Sequence, residues 1–198
     1  MKITGKQALL REWLLRNLAE FATPSVYDSQ NIYSHNIWEK KVRTLRKLGI
    51  DIGQNVAIDR GFDWILPKSL RIGDWTSIGK NFKAYNFNEM EIEKFCMFAG
   101  EVQLTNGTHD TRDFTPSSGP MLIESGCWFG HGARVVGKNL TVGANSIIGA
   151  GAVVIDSVQA NSIMVGVPAK KIGTRETADK VWHIGNTYFS SVDFNIIE

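Results

Sequence analysis

An all-β solenoid is the fold class this sequence predicts, and three observations carry the prediction. In TVGANSIIGAGAVV, residues 141–154, aliphatic residues stand six apart at Val142, Ile148 and Val154. The same step links Ile52 to Ile58, Ile72 to Ile78, Ile92 to Phe98 to Leu104, and Ile123 to Phe129. Four residues after each of these a small or apolar residue returns: Val56, Thr76, Cys96, Val102, Thr108, Cys127, Ala133, Ser146, Ala152, Val158. Glycine follows many of the aliphatics, as at Gly53, Gly73, Gly79, Gly143 and Gly149. Neither a helical period of 3.6 nor a strand period of 2 produces a step of six. A short strand closed by a tight turn does. Each side of a triangular coil is then one hexapeptide with a large residue on the axis and a small one towards the corner. Glycine or a small polar residue at the turn permits a backbone that a Cβ would hinder. Stacked coils satisfy one another's backbone groups.

The competing explanation of the glycines, a phosphate-cradling loop, fails on context. No GxxxxGK[ST] occurs, and Val153-Val154-Ile155 is a poor opening for the helix that a dinucleotide fingerprint requires.

In chain order, residues 1–49 read as an amphipathic helical cap. Residues 5–22 place Leu9, Leu10, Trp13, Leu14, Leu18 and Phe21 on one helical face, and Thr23-Pro24-Ser25 ends that helix. Residues 37–48 form a second helix with Ile37, Trp38, Val42, Leu45 and Leu48 inward and Lys40, Lys41, Arg43, Arg46 and Lys47 on its other faces. Such helices cover the exposed end of a coil stack. The sharper reading of the basic faces is peripheral contact with an anionic membrane surface.

The solenoid is expected over residues 50–173. HDTRDFTPSSGP, residues 109–120, lacks inward aliphatics and reads as a protruding loop. Residues 134–140 hold one residue more than two sixfold steps allow, which predicts a bulge near Gly137. Residues 174–198 form a C-terminal tail with a short helix over about 176–184.

Composition bounds the function. The 198 residues carry a net charge of +2, so nothing pulls the chain strongly towards nucleic acid. No apolar run approaches a membrane span and no signal-peptide pattern opens the chain, so a cytoplasmic location is expected. Cys96 and Cys127 share the small-residue position of their hexapeptides, which makes them buried thiols; their spacing fits no zinc pattern, and no metal is expected.

The coil with its protruding loop, the stretch GAGAVV and the ending VGVPAKKI together resemble the hexapeptide-repeat acyltransferases. NIWEKKVRTLRKLGIDIGQNV, SLRIGDWTSIGKN and NGTHDTRDF are similar to the branch that O-acetylates colanic acid and capsular polysaccharides. The resemblance implies a left-handed parallel β-helix, a homotrimer, and acetyl-CoA as co-substrate in clefts between neighbouring solenoids. It also implies direct transfer to a hydroxyl of a sugar or polysaccharide precursor, with a histidine at the loop root as general base. That histidine is His109. The residues agree by themselves: His109 ends a repeat at an exposed loop edge, and an imidazole is suited to take a proton near neutral pH.

Other site residues are weighed from their positions. Asp110 is a candidate to orient the imidazole, and Asn106 either contacts the acceptor hydroxyl or ladders along the coil. The resemblance places Trp128 beside the CoA arm and the backbone at His131 and Ala150 along the pantetheine. It sets Lys170, with Lys171 as its neighbour, at the nucleotide phosphates. The alternatives are the same chemistry on an antibiotic, amino acid or nucleotide-sugar amine, and a non-catalytic solenoid scaffold.

Overall fold

A computed structural model describes residues 36–176, the strands Lys180–His183 and Thr187–Ser190, and residues 10, 11, 13–15 and 17. The order of strand pairing makes it a parallel β-solenoid with three faces. The first face stacks Asp51–Ile52, Leu70–Ile72, Met90–Ile92, Met121–Ile123 and Leu140–Val142. The second stacks Ala57–Ile58, Ser77–Ile78, Met97–Phe98, Trp128–Phe129, Ile147–Ile148 and Ser162–Val165. The third stacks Asp63–Trp64, Lys83–Tyr85, Gln103–Thr105, Arg134–Val136 and Val153–Val154.

Strands of two or three residues are too short to stand alone. They persist because every coil repeats the same inward residues in register with the next. Ile52 pairs with Ile72 and Ile72 with Ile92, so the early coils are 20 residues long. Two sides take six residues each, and the step across the third corner takes eight. The step onto the third face is also six, but it does not show as an aliphatic repeat in the first two coils, because the inward residues there are Trp64 and Ala84. Sizes compensate: Phe82 fills the space beside the small Ala84, and both are buried.

Aromatics run along the axis. Phe82 meets Phe98 edge-on at 5.1 Å, and Phe98 stacks on Phe129 at 4.6 Å. Cys96 and Cys127 lie on the small-residue corner as free, buried thiols, and burial pushes the Cys96 thiol well above its ordinary range.

Glycine fills two roles: the expected left-handed turn at Gly61, Gly126, Gly132 and Gly151, and a second one that comes from stacking. At Gly73 and Gly143 the reason for glycine is stacking: an added Cβ would lie 2.5 Å from Lys94 N and 2.4 Å from Ala160 N of the next coil. The left-handed residue of each corner comes three positions after the inward aliphatic, as at Asn55, Asn81, Glu101 and Asn145. Asparagine recurs there because it tolerates that conformation better than most side chains.

The helix Asn36–Leu48 caps the base, with Trp38, Val42 and Leu45 buried against the first coil. Gly49, at φ +104°, closes it, with Gly49 N–H bonded to Arg46 O at 3.0 Å. Lys41, expected on an outer face, is buried instead and donates to Asp59 O at 2.6 Å. Arg46 Nε donates to Ile52 O at 2.9 Å and its guanidinium also reaches Gly53 O. Leu9, Leu18, Phe21 and the break at 23–25 lie outside the described residues. Of the first helical face, Leu10, Trp13 and Leu14 are described, and all three are exposed.

Two further expectations fail. No bulge interrupts residues 134–136, which pair in register with Gln103–Thr105; the supposed extra residue belongs to the third corner, which is shorter here than in the early coils. The short C-terminal helix is absent from residues 180–183, which form an antiparallel pair with Thr187–Ser190. The reason is visible in Val181, Trp182, Tyr188 and Phe189, β-branched and aromatic residues that favour strands. The far end of the solenoid is closed by Lys170–Thr174, antiparallel to Ser162–Val165, and Arg175 donates to Gly126 O at 2.8 Å. Among the described residues no helix is long and apolar enough to cross a membrane.

Candidate functional site

The protruding segment is a β-hairpin. Gly107–His109 pairs antiparallel with Pro116–Ser118, and His109 faces Pro116 in the register. It starts two residues earlier than expected, so Thr108 is an exposed hairpin residue and not a corner residue of the coil. The turn is closed by Asp110 N–H to Thr115 O and Phe114 N–H to Asp110 O, both at 2.9 Å.

Asn106 anchors the root. Its side chain is fully buried; Oδ1 accepts from Phe87 N and Asn88 N at 2.8 and 3.3 Å. Nδ2 donates to Asn88 O and Glu89 O at 3.2 and 3.0 Å. Asn86 makes the same kind of staple one coil earlier, on Ile65, Leu66 and the Leu66 carbonyl. Of the two readings of Asn106, the ladder along the coil is the one present, and the amide has no group left to offer an acceptor. Asn106→Ala is expected to lower stability by about 2–3 kcal/mol through backbone groups left unpaired. A chemical denaturation curve checks this; unchanged stability with a large fall in turnover would restore the acceptor role.

His109 is exposed on the hairpin edge, and among the described residues none hydrogen-bonds to its imidazole. Asp110 does not orient it. Its carboxylate forms a fork with Arg112, Oδ1 to Nε and Oδ2 to Nη2 both at 3.1 Å, and Arg112 N–H adds a bond at 2.9 Å. Arg112 thereby holds the Asp110 carboxyl below its usual range. A residue the sequence reading missed is Phe87, 49% exposed, whose ring lies where an added Cβ on Gly107 would come within 2.5 Å of it. Phe87, Gly107, Thr108, His109, Pro116, Ser117 and Ser118 line a groove of about 450 Å³. Phe87 precedes Gly107 by one 20-residue coil, a signal legible only once the coil length is known.

The residues matched to the cofactor lie elsewhere on the chain. Trp128 is 42% exposed on the second face. His131 sits at the corner between second and third faces, its ring 3.3 Å from where a Cβ on Gly100 would be. Ala150 occupies the same corner one coil on, where Gly151 N–H bonds to His131 O at 2.9 Å. Lys170 and Lys171 are exposed on the strand that extends the second face past the last coil. These residues form one track along the solenoid. His109 stands at the other edge of the third face, so a single chain does not bring base and track together.

No family model matches the chain. Over 133 residues it is 30% identical to WcaF of Escherichia coli K12, named as a colanic acid biosynthesis acetyltransferase; the alignment spans 66% of this chain and 72% of that protein. Among solved structures, a maltose O-acetyltransferase from Clostridium difficile 630 superposes with a TM-score of 0.70 at 22% identity, covering 84% of this chain and 87% of that one. A hexapeptide-repeat acetyltransferase from Vibrio cholerae O1 biovar eltor, solved with acetyl-CoA, gives 0.68 at 19% identity over 88% and 91% of the two chains. These structural likenesses speak to the fold, and the sequence relationship to the lineage. A six-step solenoid, a polar hairpin expelled from it and this relationship lead to one conclusion: the chain belongs to the hexapeptide-repeat acetyltransferases and is an acetyltransferase related to the colanic-acid branch.

Proposed function

We infer that the protein transfers the acetyl group of acetyl-CoA directly to a hydroxyl of a sugar or polysaccharide precursor, with His109 as general base. The observation that carries this reading is the exposed imidazole at the hairpin edge, in a groove walled by a half-exposed aromatic ring, Phe87. Aromatic faces suit the C–H faces of sugars, and an imidazole without an internal partner is available to an acceptor hydroxyl. The hydroxyl proton passes to the imidazole as its oxygen bonds to the thioester carbon. The C–S bond then breaks, and the CoA thiolate takes the proton back from the imidazolium. Donors near the carbonyl oxygen must stabilise the tetrahedral oxyanion between these steps.

The CoA substrate fits the track on the second face. Trp128 flanks the thiol-bearing arm, the backbone at His131 and Ala150 follows the pantetheine, and the exposed cations Lys170 and Lys171 suit the phosphates. The track and His109 lie on opposite edges of the third face, which supports a homotrimer whose sites form between neighbouring solenoids. The test is release of free CoA thiol on adding saccharide acceptors, with mass by light scattering. Thiol release that needs a saccharide, from a trimer, is the expected result. Release that needs an amine acceptor would favour a nucleotide-sugar N-acetyltransferase, and no CoA binding at all would leave a non-catalytic scaffold.

Lys170→Ala is expected to weaken CoA about fivefold and dephospho-CoA less. Calorimetry with both ligands checks it; equal losses would remove Lys170 from the site of the ribose phosphate.

A further inference from the structure

We propose that the helical base of the solenoid docks on an anionic lipid surface. This inference is independent of the acceptor and of the role of His109. It starts from charge. Residues 1–49 hold nine Lys and Arg against four Asp and Glu, a net +5, while the rest of the chain holds thirteen against sixteen, a net −3. The protein is nearly neutral as a whole, and its excess positive charge lies in the first quarter of the sequence.

Burial then decides which cations are available. On the helix Asn36–Leu48, Lys41 is turned inward to Asp59 O and Arg46 to the carbonyls of Ile52 and Gly53. Lys40, Arg43 and Lys47 remain exposed at a spacing that puts them on one helical stripe. Glu39 accepts from Arg43 at 3.2 Å, and the stripe stays net positive. Because Trp38, Val42 and Leu45 fix the helix against the first coil, the stripe is held rigidly outward.

Apolar surface is the second component. Leu10, Trp13 and Leu14 are 57%, 60% and 45% exposed at i, i+3 and i+4 of the N-terminal helix, with Arg11 exposed beside them. Asn17 of that helix and Leu45 line the same groove, so both helices sit at the same end of the solenoid. An exposed Trp/Leu stripe next to exposed basic residues is the composition of an interfacial helix. A second copy is the other natural occupant of an apolar stripe. A symmetric base-to-base contact would set the basic stripe Lys40, Arg43 and Lys47 against its own copy, which like-charge repulsion opposes.

The experiment is co-sedimentation of the full chain with vesicles of phosphatidylcholine alone and of phosphatidylcholine mixed with phosphatidylglycerol. The chain is expected to sediment with the mixed vesicles only, and less as salt is raised. K40Q/R43Q/K47Q should weaken binding about fivefold per side chain, roughly a hundredfold in all, with an unchanged thermal melt. W13A/L14A should weaken it about tenfold or more. Equal binding to neutral vesicles, no binding to either, or wild-type binding by either variant would overturn the proposal. A change of mass for W13A/L14A in light scattering would also overturn it, because the stripe would then be covered by a second copy.

Discussion

His109→Ala is expected to lower turnover by roughly 10²- to 10⁴-fold while acetyl-CoA binding stays nearly intact. The separation follows from geometry. His109 stands on the hairpin edge and is none of the residues proposed to hold CoA, so the substitution removes the proposed proton acceptor and leaves those residues in place. His109→Asn should fare little better, because an amide keeps the shape and cannot accept the proton. The imidazole acts as a base only when neutral, so kcat/KM of the parent enzyme should fall as pH drops, and that limb should vanish in both variants. Asp110 cannot supply the limb in its place. Arg112 holds its carboxyl below the usual range, so it is ionised throughout the region where an imidazole titrates. A variant that kept most of its activity and the same limb would place the base elsewhere, and His131 would be the next residue to replace.

Phe129→Ala is expected to cost about 3–5 kcal/mol of stability. Phe129 is fully buried and stacks on Phe98 at 4.6 Å, with Ile148 next along the face. The ladder fixes strand spacing near 4.8 Å, so neighbouring coils cannot close over the missing ring. The vacated space becomes a cavity. Phe129→Leu should recover most of the loss, leaving about 1.5 kcal/mol or less. Urea denaturation at one protein concentration measures both, since assembly would make apparent stability concentration-dependent. A loss under about 1 kcal/mol for the alanine variant would show that the stack collapses freely and would count against a rigid aromatic axis.

The limits of the sequence reading have specific causes. The sixfold step was legible on the first and second faces because their inward residues are Ile, Val or Phe in nearly every coil. It failed on the third face of the first two coils, where Trp64 and Ala84 stand inward and the next inward aliphatic lies eight positions on. The same missed offset hid Phe87, which becomes a neighbour of Gly107 only when coils are 20 residues long. The short helix expected over about 176–184 gives way at residues 180–183 to a strand, where β-branched and aromatic residues prevail.

The repeat, the presence of a protruding segment and the two buried thiols were decided by sequence alone. In a solenoid the large apolar residues meet partners at nearly fixed offsets along the chain, so local periodicity already contains most of the core. Tertiary structure decided what each polar group does. Lys41 and Lys40 are adjacent, yet one is buried on Asp59 O and the other faces solvent. Asn106 is consumed by the corner of the preceding coil, and Asp110 by Arg112, while His109 between them in sequence makes no side-chain hydrogen bond among the described residues. Burial and hydrogen bonding depend on which backbone groups a neighbouring coil presents at a few ångströms. That depends on coil length and corner shape, which no pattern of residue types along one coil contains.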